Sequence, residues 1–492
     1  MAALVSIPVA PSRRITLNLP ALDAVGLLTG VLYLVFFGFG FASFTDPDYW
    51  WHLRTGELIV DTLSVPRHDV FSFTAAGAPQ LNHQWLSEVA IYLSVSGPGY
   101  AVTLGFFVAT VLAAFAIMHR LLLRLGAPKS AALGLVALGM LISSSYWTVR
   151  PQLVTWLFLA VLANALIQRK TPPWLLVPLF ALWANVHIGY TIGLGVVGLW
   201  FLSRVWERIG GDREGELRLA GLLVFACAAA TLLNPNGPAP IFAATGYLPF
   251  AGNEVDYQGI SELQSPDFSD PLHLPLLAGI LVLMALTLAG RARDRFALLL
   301  AIAFTALALQ TARYQPLFAL MFLPAAGRAA KDIFPRPATS SPPRTTVNWA
   351  LLAVAAIAVL VAIPQLPNAQ VHRQAVTGGR APYPDQSLAW LQEQQPDANV
   401  YAPHKWGGYF IHGLYPEGHV YIDGRSDMYG ERIFTDYRAI INANEGWQEL
   451  LESSGATAVV VEPSDRVADA LGHAQGWSLV LSEDDEILYV RD

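Results

Sequence analysis

Eleven apolar segments fill the first 365 residues and leave this chain little choice but a membrane. They fall near 22–44, 98–118, 130–147, 152–168, 173–190, 191–206, 218–234, 272–290, 295–312, 314–327 and 349–366. Most approach the roughly 17–25 residues that a helix needs to cross a bilayer. The fifth and sixth nearly abut, and the tenth is short. Hydrocarbon offers no partner to a backbone N–H or C=O, so such segments cross as helices. Of 492 residues, 54% are hydrophobic and 14% charged, against roughly 25% charged in soluble domains. The expected fold class is a polytopic α-helical membrane protein of about eleven transmembrane helices over residues 1–365, with a C-terminal soluble α/β domain over 366–492. The single cysteine, Cys227, excludes an internal disulfide.

Charge sets the expected orientation. Residues 1–365 carry 22 Lys+Arg and 18 Asp+Glu, and residues 366–492 carry 8 and 19. Neither part has the basic surface of a nucleic-acid binder. Arg13 and Arg14 precede an apolar stretch longer than a signal-peptide core, so the first segment is read as a retained span. With the N-terminus in the cytoplasm, 18 of the 22 basic residues fall on the cytoplasmic side, as the positive-inside rule requires. Arg54, Arg67, Arg150 and Arg313 are the four that do not. The expected location is a bacterial cytoplasmic membrane, with the C-terminal domain outside.

That topology sends the polar motifs to one face. Thr45-Asp46-Pro47-Asp48-Tyr49-Trp50-Trp51-His52 opens a long outer loop, 45–97, at the end of the first span. Pro47 lacks an N–H and biases Asp46 away from helix, a stop for that span. A helix starting near Asp48 puts Asp48 and His52 on one face. Residues 50–61 and 84–96 read as two interfacial helices, the first offering Trp50, Leu53, Leu58 and Ile59 to the apolar side. Arg150 lies at the turn after the third span, and His187 at the turn after the fifth. Asn234-Pro235-Asn236-Gly237 opens a loop carrying Glu254, Asp256 and Glu262, and Arg313 follows the ninth span. Residues 328–348 form a Pro/Ser-rich cytoplasmic linker.

Acids beside a hydrocarbon core serve chemistry or pairing more often than solvation. Asp46 and Asp48 are therefore the catalytic candidates, with helix capping as the alternative. His52, Arg54, His83, Glu88, Arg150, His187, Glu262 and Arg313 are the candidate substrate-binding groups. A guanidinium holds phosphate oxygens bidentately, although a snorkelling arginine at a headgroup has the same sequence signature. The carboxylate–imidazole mix suits Mg²⁺ or Mn²⁺ better than zinc, with Asp48 and His52 as candidate ligands, but the spacing is not a metal signature. The tail alternates short strands and helices: helix 386–395, strand 398–402, helix 406–414, strand 419–423, helices 432–441 and 446–454, strand 457–462, helix 464–473, and strands 477–482 and 486–490. Its Tyr401–Tyr409 and Tyr421–Asp427 turns, rich in glycine, read as packing turns or anion cradles.

Asp46-Pro47-Asp48, the following Trp50-Trp51-His52-Leu53-Arg54-Thr55-Gly56 and the two juxtamembrane helices resemble the GT-C superfamily of membrane glycosyltransferases. The likeness is to bacterial members grouped with protein O-mannosyltransferases and aminoarabinose transferases. A narrower bacterial subfamily is matched by Val65-Pro66-Arg67-His68-Asp69, His83-Gln84-Trp85-Leu86, Arg150-Pro151-Gln152, Trp183-Ala184-Asn185-Val186-His187, Asn234-Pro235-Asn236-Gly237 and Asp423-Gly424-Arg425; it often has Glu where Gln84 stands. The resemblance implies transfer of a sugar from a polyprenyl-phosphate carrier to a glycan, lipid or protein acceptor at the outer leaflet. In it, Asp46 or Asp48 acts as base, and Arg313, with Arg150, clamps phosphate. Two rivals are a non-catalytic lipid-binding or glycan-assembly scaffold and a secondary transporter. Against the transporter, no inverted repeat is visible.

Overall fold

The computed structural model describes residues 19–42, 46–168, 172–210, 217–245, 261–290, 294–334, 344–363 and 383–492. Expectations placed on Arg13, Arg14, Thr45, Glu254 and Asp256, and on the middle of the 328–348 linker, lie outside those residues. The first part runs α1 Ala24–Ala42, α2 Tyr49–Thr62, α3 Trp85–Ser96, α4 Tyr100–Leu125, α5 Lys129–Ser143, α6 Gln152–Gln168, α7 Leu176–Val186, α8 Tyr190–Ile209, α9 Leu217–Ala230, α10 Ala239–Thr245, α11 Leu274–Ala289, α12 Arg295–Gln310, α13 Gln315–Met321, α14 Leu323–Ile333 and α15 Thr345–Ala362. Among the described residues, five helices are long and apolar enough to cross a membrane, and four shorter apolar ones accompany them.

The tenth expected span is two helices. Pro324, at the start of α14, has no N–H to give the preceding turn, so the rung it would make to the Leu320 carbonyl is missing where the two helices meet. Every residue of α13 is buried. Helices α4, α5, α6, α11 and α12 surround it. Gly139 of α5 makes that closeness possible, because a Cβ there would stand 2.9 Å from the Ala319 carbonyl oxygen. By contrast α15 touches mainly α1 and leaves Leu351, Val354 and Ile357 exposed, the face a lipid would cover.

Helix α2 forms over the expected residues, and its apolar face is covered by protein. Trp50, Trp51, Leu53 and Ile59 are buried. Helix α3 lies on one side, and a tail helix on another. The Trp50 ring meets Tyr383, Tyr409 and His412 edge-on or tilted, at centroid distances of 5.1–5.6 Å.

The tail runs α16 Asp385–Gln394, β1 Asn399–Tyr401, α17 His404–Leu414, β2 His419–Val420, α18 Ser426–Ile441, α19 Trp447–Ser454, β3 Ala458–Val461, α20 Arg466–Leu471, β4 Trp477–Ser482 and β5 Ile487–Arg491. The sheet order is β2-β1-β3-β5-β4, with β2, β1 and β3 parallel and β5 antiparallel to both β3 and β4. Strand β3 is buried along its whole length, consistent with its unbroken Ala458-Val459-Val460-Val461.

Loop 45–97 is sewn into this sheet. Val420 N–H donates to the Phe71 carbonyl (3.1 Å) and Phe73 N–H to the Val420 carbonyl (3.0 Å), which covers the β2 edge. Beside that seam Arg425 Nη1 donates to Asp69 Oδ1 (2.7 Å) and Gln80 Oε1 (3.1 Å), and Nη2 to Asp423 Oδ2 (2.6 Å). The Phe71 ring lies 5.0 Å beneath the guanidinium. Burial pushes the Asp423 carboxyl up, but the guanidinium holds it below the usual carboxylate range. Arg425→Ala leaves two buried carboxylates without their cation. We expect it to destabilise the protein by about 3–5 kcal/mol, read as lowered thermal stability in detergent or nanodiscs.

Candidate functional site

Two distant stretches, 46–48 and the Glu262 turn, converge on Arg150. It sits in the turn just before α6, where its backbone cannot continue the preceding helix into Pro151. Its Nε meets Asp46 Oδ2, Nη2 meets Asp48 Oδ2 at 3.0 Å, and Nη1 meets Glu262 Oε2 at 3.4 Å. The other Glu262 oxygen stands 3.4 Å from Arg313 Nη2, just beyond α12. Three carboxylates thus share two guanidiniums, an excess of negative charge.

The two aspartates differ in their surroundings. Asp46 folds its Oδ1 back to accept the Asp48 N–H (2.9 Å), and its side chain is 1% exposed. Asp48 occupies the N-cap position of α2 but makes no capping hydrogen bond. Its side chain is 18% exposed and turned toward Arg150 and the Trp51 indole. Burial pushes the Asp48 carboxyl up to about 6; Arg150 opposes this, while Asp46 and Glu262 reinforce it. Burial acts the same way on Glu262, yet Arg313 and Arg150 hold it below its ordinary value. Asp48 is therefore a reachable carboxylate that gains its proton not far below neutrality, as a general base should.

His52 does not join Asp48. Its Nδ1 faces Glu88 Oε1 at 3.1 Å, both side chains being buried. Burial raises the Glu88 carboxyl to about 8 and holds His52 well below the usual imidazole range, so burial favours the uncharged form of both partners. Asp48 is taken by Arg150 and His52 by Glu88, so the pair does not fit a shared Mg²⁺ or Mn²⁺. Among the described residues, no three His, Cys, Asp or Glu gather in a way that could hold an ion.

His187 accepts the Gly189 N–H at Nδ1 (3.0 Å) and shares that atom with the Thr155 hydroxyl (2.9 Å), which leaves its other nitrogen as the donor. Its ring meets His83 edge-on at 6.2 Å. Burial lowers the imidazole, and His83 and Arg313 act in the same direction. Arg54 lies apart from the cluster. It pairs with Glu57 one turn on in α2 (2.5 Å), and its bond to the Tyr415 carbonyl and its place over the Tyr415 ring clamp α2 to the tail. It brackets α2 against the tail rather than joining the Arg150 cluster.

The sequence reading missed what the tail supplies. His404, at the first position of α17, feels both Arg150 and Glu262, and its Nε2 lies 3.3 Å from Ser426 Oγ. Burial pushes its imidazole below the ordinary range, with Asp423 opposing. Gly424 lies against Asp48 itself. The only signal was the glycine-rich turns after the first two tail strands.

No family model and no curated protein matches the sequence. Solved structures do. The archaeal oligosaccharyltransferase AglB from Archaeoglobus fulgidus, in complex with an inhibitory peptide and a dolichol-phosphate, aligns with a TM-score of 0.56 at 12% identity over 95% of this chain and 74% of that one. ArnT from Cupriavidus metallidurans in the apo state aligns with a TM-score of 0.50 at 15% identity, over 94% and 97%. A mutant of the arabinofuranosyltransferase AftD from Mycobacteria gives 0.52 at 15% identity, over 96% of this chain but 42% of that one. The chain thus spans about two-fifths of the length of that last protein. At such identities the likeness is one of fold.

Proposed function

Because the chain has the GT-C fold of membrane glycosyltransferases, we propose that it transfers a sugar from a polyprenyl-phosphate carrier to a hydroxyl of a glycan, lipid or protein at the outer face of a bacterial cytoplasmic membrane. The observation that carries this reading is the Asp46/Asp48–Arg150–Glu262–Arg313 chain of contacts. It sets a reachable carboxylate beside two cations able to meet phosphate oxygens. A structural neighbour holding dolichol-phosphate supports the carrier class.

The proposed step is a single displacement, so configuration at the anomeric carbon inverts. The acceptor oxygen attacks that carbon while its proton passes to Asp48. The bond from the anomeric carbon to the phosphate oxygen breaks, and its electron pair leaves on the carrier phosphate. Arg150 and Arg313 meet the charge that develops there. Asp46 keeps Arg150 aimed at Asp48. Charge balance thus comes from the guanidiniums. A metal bridging Asp48 and His52 would first have to separate His52 from Glu88.

The direct test is the purified protein in nanodiscs with a panel of polyprenyl-phosphate sugars, followed by release of the bare carrier phosphate. The expected result is consumption of at least one donor. Arg313→Gln should weaken carrier binding by roughly 10–100-fold, the worth of one or two charge-assisted hydrogen bonds. A carrier that binds wild type and Arg313→Gln equally would remove Arg313 from the clamp. Binding without turnover of any donor would favour the scaffold.

A further inference from the structure

We propose that the tail's Asp423-Gly424-Arg425 loop is a positioning element of the reaction: through backbone contact at Gly424 it holds the Asp48 carboxylate where Arg150 and Trp51 meet it. This rests on Asp48 being the base, as read above, and assigns a task to a motif that reading leaves idle.

The approach is close. A Cβ at Gly424 would fall 1.8 Å from Asp48 Oδ1 and 3.1 Å from Trp51 Nε1. Two neighbouring glycines of α17 let the same region come together. A Cβ at Gly408 would stand 2.8 Å from the Pro47 carbonyl oxygen, and one at Gly407 would stand 2.1 Å from that of Ile422. The loop is fixed from behind. The Arg425 guanidinium is buried between Asp423 and Asp69, the Tyr429 hydroxyl donates to Asp423, and the Thr74 hydroxyl donates to the Tyr421 carbonyl at 2.5 Å. Domain attachment alone needs Arg425, Asp69 and the Phe71–Val420 seam. It does not need Gly424 to end on Asp48.

Asp48 has reason to be held. Its carbonyl accepts the first rung of α2 from the His52 N–H (3.2 Å), but its side chain makes no capping bond and stays partly exposed, gripped by Arg150 at one oxygen. The groups facing it are Arg150, Asp46, Glu262 and Trp51. Gly424 closes one side without offering a side chain of its own, which narrows the rotamers open to the carboxylate and keeps water from that side.

The test is Gly424→Ala in the full chain. Expected is a fall in kcat of roughly 10²-fold, the effect of displacing a reacting group by about 1 Å, with the KM for the carrier sugar little changed. Gly472→Ala, where a Cβ meets nothing nearer than 3.3 Å, serves as the control and should keep wild-type kcat. A second measurement needs no turnover. The infrared carboxyl band that Asp48→Asn removes should titrate near 6 in the wild type and higher in Gly424→Ala, as the carboxylate is pushed off Arg150 and the Trp51 N–H, both of which favour its ionised form. Wild-type kcat with an unmoved band in Gly424→Ala overturns the proposal. So does an equal loss in Gly472→Ala, which would mark a general packing effect. Should wild type consume no donor, the glycosyltransferase reading fails, and the titration still decides whether Gly424 positions Asp48.

Discussion

Asp48→Asn is expected to lower sugar transfer by about 10²–10⁴-fold while leaving expression and carrier binding in place. The amide keeps the shape of the carboxylate and one oxygen for Arg150, but cannot take a proton from the acceptor. The pH profile gives the sharper signature. A base must be ionised to act, and burial has raised the Asp48 carboxyl to about 6. Wild-type kcat/KM should therefore be level above pH 6 and fall tenfold per unit below it. The residual rate of Asp48→Asn should lack that limb. Asp46→Asn should also reduce transfer, by a different route. It loosens Arg150 without removing the reachable carboxylate, so the acidic limb should persist. Unchanged rates in both variants would contradict the assignment of the base.

Arg150→Gln has the second large effect, on stability and on rate together. Arg150 is the cation that Asp46, Asp48 and Glu262 share. Without it three carboxylates face one another in a largely buried site, and losing one partner of a buried charge cluster costs about 3–5 kcal/mol. The site lowers that cost by taking up protons, so the Asp48 carboxyl should rise further above its wild-type value of about 6. The base would then be protonated at neutral pH, on top of the lost phosphate contact. Raising the pH should recover part of the rate and none of the carrier affinity. Melting temperature, carrier affinity and pH–rate profile separate these contributions. Wild-type melting and affinity in Arg150→Gln would place the cluster outside the reaction.

Much of this site was readable in the sequence because charge is rare there. Arg150 and Arg313 stood out as cations on the wrong side for the positive-inside rule, and Asp46 and Asp48 as acids at the end of an apolar run. The tail's elements were readable from their periodicity: strands at 399–401 and 458–461 and helices at 404–414 and 447–454 fall within a few residues of expectation. What could not be read was who covers an apolar face. Trp50 reads the same in sequence whether lipid or Tyr409 lies over it. For the same reason α13, enclosed by five helices, looked like one more span. His404 and Gly424 were beyond reach, because hundreds of residues separate them from Asp48 and no periodicity connects the two. Arg54 follows the acidic motif in sequence but turns to Tyr415 in space, which no sequence pattern could show.

The central claim is that one pocket holds both the acid and the phosphate clamp. A structure of the protein with a polyprenyl-phosphate sugar bound tests it most directly. The phosphate oxygens should stand about 2.7–2.9 Å from Arg150 and Arg313 nitrogens, with Glu262 drawn back and the anomeric carbon facing Asp48. A phosphate seated elsewhere on the bundle, with Glu262 still between the two arginines, would contradict it.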